Sequence, residues 1–129
     1  MSYELSFSEI DDYLLVRIEG TWPRGQPKKI INDVADLSYR HPGLPLLIDI
    51  RSMETRELIG QDFFEVKLMA EAGFWRFGRI AVLDILTQQK SNDFFETIAF
   101  NRGLTVRFFY SDEQDAIDWL LSERKLQDD

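Results

Sequence analysis

Acid–base or metal chemistry needs side chains that share, donate or hold charge, and here the best-placed candidates are two carboxylates. Asp49 and Asp84 each close an apolar run, Leu46-Leu47-Ile48-Asp49 and Ile80-Ala81-Val82-Leu83-Asp84. Such runs read as strands covered on both faces. Open α/β sheets bind ligands at the carboxyl ends of their strands. If the two strands are neighbours, the carboxylates could share a proton or hold a divalent ion. The favoured reading is structural: each carboxylate bonds nearby backbone N–H groups or pairs with an arginine, because an acidic pair without further ligands is unspecific. A phosphate-receiver role for Asp49 lacks its companions, an acidic pair after the first parallel strand and a late lysine. No catalytic, metal or cofactor-binding residue is assigned, no cofactor is expected, and the chain is not expected to be an enzyme.

The other chemical candidates are weaker. His41 is the sole histidine and sits in a His-Pro-Gly turn, the setting of a surface turn residue. Phe74-Trp75-Arg76-Phe77-Gly78-Arg79 mixes aromatics with arginine as a base-stacking surface does, but core anchors with solvated arginines are favoured. Gly20 to Gly25 lacks the spacing and lysine of a phosphate loop. With no cysteine, thiolate catalysis, cysteine-ligated metals and disulfides are excluded.

These residues are positioned by alternating strands and helices. Tyr3, Leu5 and Phe7 alternate with polar residues, as do Leu14, Val16 and Ile18 beyond Asp11-Asp12, which predicts an antiparallel hairpin with its first strand at a sheet edge. Pro27 suits a helix start, and Ile30, Ile31, Val34, Ala35, Leu37 and Ser38 follow with helical spacing until His41-Pro42-Gly43. Leu46 to Ile50 is the central strand, where Ile48→Ala should cost ~2–5 kcal/mol. Residues 52–59 read as a loop or a frayed helix start. A second helix spans Gln61 to Ala72 and stops at Gly73. Ile80 to Leu86 is a strand, and Ser91 or Asn92 caps a third helix ending at Gly103. Leu104 to Tyr110 is the opposite edge strand. Ser111 with Gln114 forms a capping box for a last helix through Leu121, and Glu123 to Asp129 frays. The fold class is α/β: one domain over residues 1–129, with a mixed, mostly parallel five-strand sheet and four helices.

Length and composition agree with one packed domain. The chain has 129 residues, 44% of them hydrophobic, with ten Phe. A formal charge of −8 argues against nucleic acid or an anionic membrane surface as partner. Met1-Ser2-Tyr3-Glu4 lacks the basic start of a signal peptide, and no apolar run approaches the roughly 20 residues of a spanning helix. The expectation is a soluble cytoplasmic protein.

The pattern resembles the STAS-like domains, in particular the family of bacterial anti-sigma-factor antagonists. The match rests on Ile18-Glu19-Gly20, Leu47-Ile48-Asp49-Ile50, Arg79-Ile80-Ala81-Val82-Leu83, and the ending Val106-Arg107-Phe108-Phe109, Ser111-Asp112-Glu113 and Ala116-Ile117-Asp118-Trp119-Leu120. It covers nearly the whole chain. The resemblance implies a small α/β domain without enzymatic activity. In the antagonists a serine at the start of the helix after the central strand is phosphorylated as a switch. The corresponding stretch here is Arg56-Glu57-Leu58-Ile59-Gly60, which carries no serine or threonine, so the usual switch is not expected. Glu57 would supply a permanent charge there, although a solvated glutamate is the simpler reading. Relatives resembling CRAL-TRIO domains imply an apolar, lipid-like ligand.

One helix has more apolar residues than a single packed stripe needs. Phe94, Phe95, Ile98, Ala99 and Phe100 cover a wide arc of the third helix. Either Phe100 tucks under the last strand, the favoured reading, or the helix offers a patch to a partner, a second subunit or a ligand. Trp22 is a further candidate for that surface. Two functions follow: a non-catalytic interaction or regulatory module that binds a protein or itself, and a carrier or sensor of a small apolar molecule held between helices and sheet.

Overall fold

The hairpin forms as its alternation requires. In the computed structural model, which describes residues 3–21, 27–55 and 62–127 with the side chains of 54–55, 62–64 and 123–127 left out, β1 (Tyr3–Ile10) pairs antiparallel with β2 (Tyr13–Thr21). Asp11 turns the corner at φ 44°, a left-handed conformation that a short polar side chain tolerates. The chain then runs α1 (Pro27–Arg40), β3 (Leu46–Asp49), β4 (Met53–Thr55), α2 (Asp62–Glu71), a 3₁₀ turn at Phe74–Phe77, and β5 (Arg79–Leu83). A second 3₁₀ turn at Leu86–Gln88 leads into α3 (Gln89–Asn101), followed by β6 (Thr105–Phe109) and α4 (Glu113–Gln127).

The principal strands lie in the order β1-β2-β3-β5-β6. Only β1–β2 is antiparallel; β2–β3, β3–β5 and β5–β6 are parallel. β3 is thus the middle strand, and all four of its residues are buried. Both expected edges, β1 and β6, are edges.

This order decides where the helices go. From β2 to β3, β5 and β6 the chain always steps in one direction. Right-handed crossovers then place every connecting helix on the same face. Accordingly Ile30 and Val34 of α1, Val66 and Met69 of α2, and Ile98 and Ala99 of α3 share one core with Val16, Ile48, Ile80 and Val82. Among the described helices α4 alone covers the other face: Ala116 and Leu120 pack on Leu47, Ala81 and Leu83. Arg79 fixes α4 there by donating to the Trp119 carbonyl at 2.6 Å and to Ser122 Oγ at 2.5 Å, with its guanidinium 5.0 Å from the Trp119 ring centre.

Three local expectations need correction. Met53–Thr55, expected to be a loop or a frayed helix start, forms β4, which pairs parallel with the end of β2 at Gly20 and Thr21; three residues carry no readable period. α3 starts at Gln89, so neither Ser91 nor Asn92 caps it; Asn92 lies inside the first turn and is buried. The last helix is capped by Asp112, whose Oδ1 accepts the Gln114 N–H at 2.9 Å, instead of by Ser111, and it continues to Gln127.

Candidate functional site

Strand alternation settles the two carboxylates. Asp49 lies opposite Leu83 in the β3–β5 ladder, so it shares the α4-covered face with Leu47 and Leu83. Asp84, one residue on, turns to the face covered by α1 to α3. The strands are neighbours, but the carboxylates lie on opposite sides of the sheet and form no pair.

Each carboxylate has structural partners. Asp49 Oδ1 accepts from the Arg51 backbone N–H at 3.1 Å and from its Nε at 3.0 Å, while Oδ2 accepts from Arg51 Nη2 at 2.9 Å and Arg17 Nε at 3.3 Å. Burial alone would raise this carboxyl's pKa, but the Arg51 and Arg17 hydrogen bonds outweigh it and hold it below the ordinary value. Asp84 is fully buried. Its Oδ1 accepts the Ile85 N–H at 2.8 Å and its Oδ2 accepts Asn92 Nδ2 at 2.9 Å. Among the described residues no group of three His, Cys, Asp or Glu could hold a metal ion. His41 stands at the end of α1, its ring 5.3 Å from that of Phe7 and its Nδ1 3.7 Å from Glu9.

The α3 phenylalanines go separate ways. Phe95 faces inward, its ring edge-on to Phe108 at 5.6 Å. Phe94 is 45% exposed. Phe100 is 78% exposed and does not tuck beneath β6. On a helix Phe94 and Phe100 are about 120° apart, on opposite flanks of the outward side, so they do not form one stripe. Trp22 and Glu57, with the whole Arg56–Gly60 stretch, lie outside the described residues. In the aromatic–arginine stretch, Phe74 is the core anchor at 2% exposure, whereas Trp75 is 55% exposed beneath Arg76, 4.8 Å from its ring centre.

Two features were not legible from motifs. Ile85 and Leu86 follow β5 at the carboxyl end of the sheet and are 40% and 65% exposed. The apolar run predicts a strand through Leu86, but β5 ends at Leu83 and the chain turns into the 3₁₀ segment at Leu86–Gln88. The other is a cavity of about 150 Å³ between the sheet and α1 to α3. Its walls are apolar, with Ile48, Val82 and Val106 from the sheet and Ile30 and Met69 from the helices, while Gln88, Ser91 and Asn92 line it from the start of α3. Beside Asn92 lies the buried Tyr110 hydroxyl, without a well-formed hydrogen bond among the described residues. Burial, more than the nearby carboxylates, raises its pKa.

On the β6 side of α3, Glu96 Oε1 accepts the Phe108 N–H at 2.7 Å. Burial raises this carboxyl's pKa, partly offset by that hydrogen bond.

Among the described residues no helix is long and apolar enough to cross a membrane. No family model matches the sequence, and no curated protein matches it. Solved structures do. An uncharacterised protein of the DUF3478 family with a SpoIIAA-like fold, from Shewanella loihica PV-4, aligns over 92% of this chain and 93% of its own at TM-score 0.59 and 20% identity. An anti-sigma factor antagonist from Mycobacterium paratuberculosis aligns over 92% and 94% at TM-score 0.61 and 13% identity. With its hairpin-led parallel sheet and one-sided crossover helices, the chain therefore has the SpoIIAA-like, STAS-like fold.

Proposed function

We propose that this chain is a non-catalytic regulatory module that binds a protein partner or a second copy of itself through the carboxyl end of β5 and the start of α3. The observation that carries the reading is the exposure of Ile85, Leu86 and Phe94 around that corner. Large apolar side chains exposed towards the end of the sheet where α/β folds place their sites suit an interface better than solvent. The likeness to an anti-sigma factor antagonist supports a protein partner. Asp49 and Asp84, the best-placed candidates for chemistry, are engaged in structural hydrogen bonds. The test combines light scattering with affinity capture from cells in which the chain is native, using wild type and the Leu86→Glu variant. A stoichiometric complex or dimer lost in the variant supports the reading, and a monomer that retains no protein contradicts it.

The cavity favours a second reading, a carrier or sensor of a small apolar molecule. Its volume of about 150 Å³ is of the order that admits a benzene-sized guest and below the roughly 300 Å³ at which pockets for drug-sized ligands begin. That scale disfavours a long lipid chain. Native mass spectrometry of gently purified protein decides: a persistent small adduct supports a carrier, and a clean apo mass contradicts it.

A further inference from the structure

We infer that the cavity beneath α3 selects a compact, uncharged amphiphile: a ring-sized apolar body with one hydroxyl-type polar end. The inference rests on the carrier or sensor reading and specifies its ligand. The body is set by the walls: Ile48, Val82 and Val106 rise from three adjacent strands and line a partly open space for about one ring. The polar end is set by Gln88, Ser91 and Asn92, which succeed one another around the start of α3 and all line the same cavity. Asn92 is held by donating its amide N–H to the fully buried Asp84 at 2.9 Å. That bond orients the amide at the cavity wall. Ser91 can donate or accept, as a hydroxyl on the ligand can. A guest with a hydroxyl can pair with these groups, which a purely apolar guest cannot.

Charge narrows the class further. The described residues lining the cavity include one carboxylate, Glu65, and no lysine or arginine. Asp84 lies directly behind Asn92. A carboxylate ligand would lose its hydration in a mostly apolar space whose described lining holds no cation to pair with it. Fatty acids and other organic acids are therefore disfavoured, and alcohols or phenols favoured.

Three nearly isosteric probes test this on the wild-type protein: toluene, benzyl alcohol and benzoate, titrated while the methyl NMR signals of Ile48, Val82 and Val106 are followed. Benzyl alcohol should shift all three and bind roughly five-fold tighter than toluene, as one hydrogen bond allows. Benzoate should bind at least ~10-fold more weakly than benzyl alcohol. Ser91→Ala should narrow the benzyl alcohol preference over toluene. Toluene binding as tightly as benzyl alcohol, or benzoate binding tightest, overturns the inference but leaves a ligand cavity standing. Methyl signals that respond to none of the three overturn both.

Discussion

Glu96 of α3 accepts the backbone N–H of Phe108 at 2.7 Å, so a helix side chain occupies a hydrogen-bonding position on the outer edge of β6. The neighbouring Phe109 carbonyl faces β5, where it accepts from Asp84 N, and alternation therefore turns Phe108 N–H outward. Open strand edges invite pairing with other chains, and here the helix that precedes the strand covers part of it.

Burial of the Glu96 carboxyl has a pH signature that the Phe108 hydrogen bond only partly offsets. Burial holds the Glu96 carboxyl above its ordinary pKa, so the folded state binds protons more tightly than the unfolded one. Wild-type stability should fall as pH rises from the ordinary glutamate value through the raised one, then level off. Glu96→Gln keeps an acceptor oxygen without the charge and should lack this decline. In urea titrations its stability relative to wild type should grow from acid to neutral pH. Glu96→Ala, which leaves Phe108 N–H without that acceptor, should cost about 1–2 kcal/mol.

Asp49 behaves in the opposite sense. Burial works against its ionised form, but the two arginines prevail and depress its pKa. Its contribution is present above the unfolded-state pKa and lost as pH falls through the lower folded value. Asp49→Asn should destabilise the fold at neutral pH by about 1–3 kcal/mol, the lower end being favoured because Arg17 and Arg51 remain 44% and 35% exposed and can be hydrated. The difference from wild type should shrink in acid. Chemical denaturation at several pH values measures both.

The cavity should make the two faces of β5 respond differently to a large residue. Val82 borders it, whereas Ala81 packs fully buried beneath α4. Val82→Phe should change stability by less than about 1 kcal/mol, while Ala81→Phe overpacks a filled core and should cost about 3 kcal/mol or more. Thermal melts of the two variants compare them directly.

Gly73 ends α2 at φ +86°, and a Cβ there would run into the Tyr39 hydroxyl, which donates to the Ala72 carbonyl at 3.0 Å. Gly73→Ala should cost more than about 1 kcal/mol. Adding Tyr39→Phe should recover only part of this in a denaturation midpoint, because the left-handed backbone remains.

The order of strands and helices could be read because each long element carries its own period or punctuation: alternation in β1 and β2, Pro27 and His41-Pro42-Gly43 around α1, and Gly73 after α2. β4 escaped because three residues carry no period, and its pairing with Gly20 and Thr21 is set by tertiary position. Asp49 and Asp84 were correctly placed at strand ends, but whether they met depended on the ladder register. Once Asp49 stands opposite Leu83, Asp84 belongs to the other face. The third helix misled for a similar reason: an arc of phenylalanines does not say which flank meets β6, and Phe100 proved the most exposed of them. A cavity is unreadable in principle, since it arises from how Ile48, Val82 and Val106 fail to meet the helices above them.

The proposed partner surface is tested most directly by Leu86→Glu, a change at a 65% exposed position that should leave the fold intact. Complexes captured from native cells on wild-type and variant protein would be compared by quantitative cross-linking, alongside light scattering of each. A defined complex or dimer on the wild type, weakened at least ~10-fold in the variant as expected for a central apolar contact, is the result this account requires. Equal complex formation by both proteins, or a monomeric wild type that captures nothing, would contradict it.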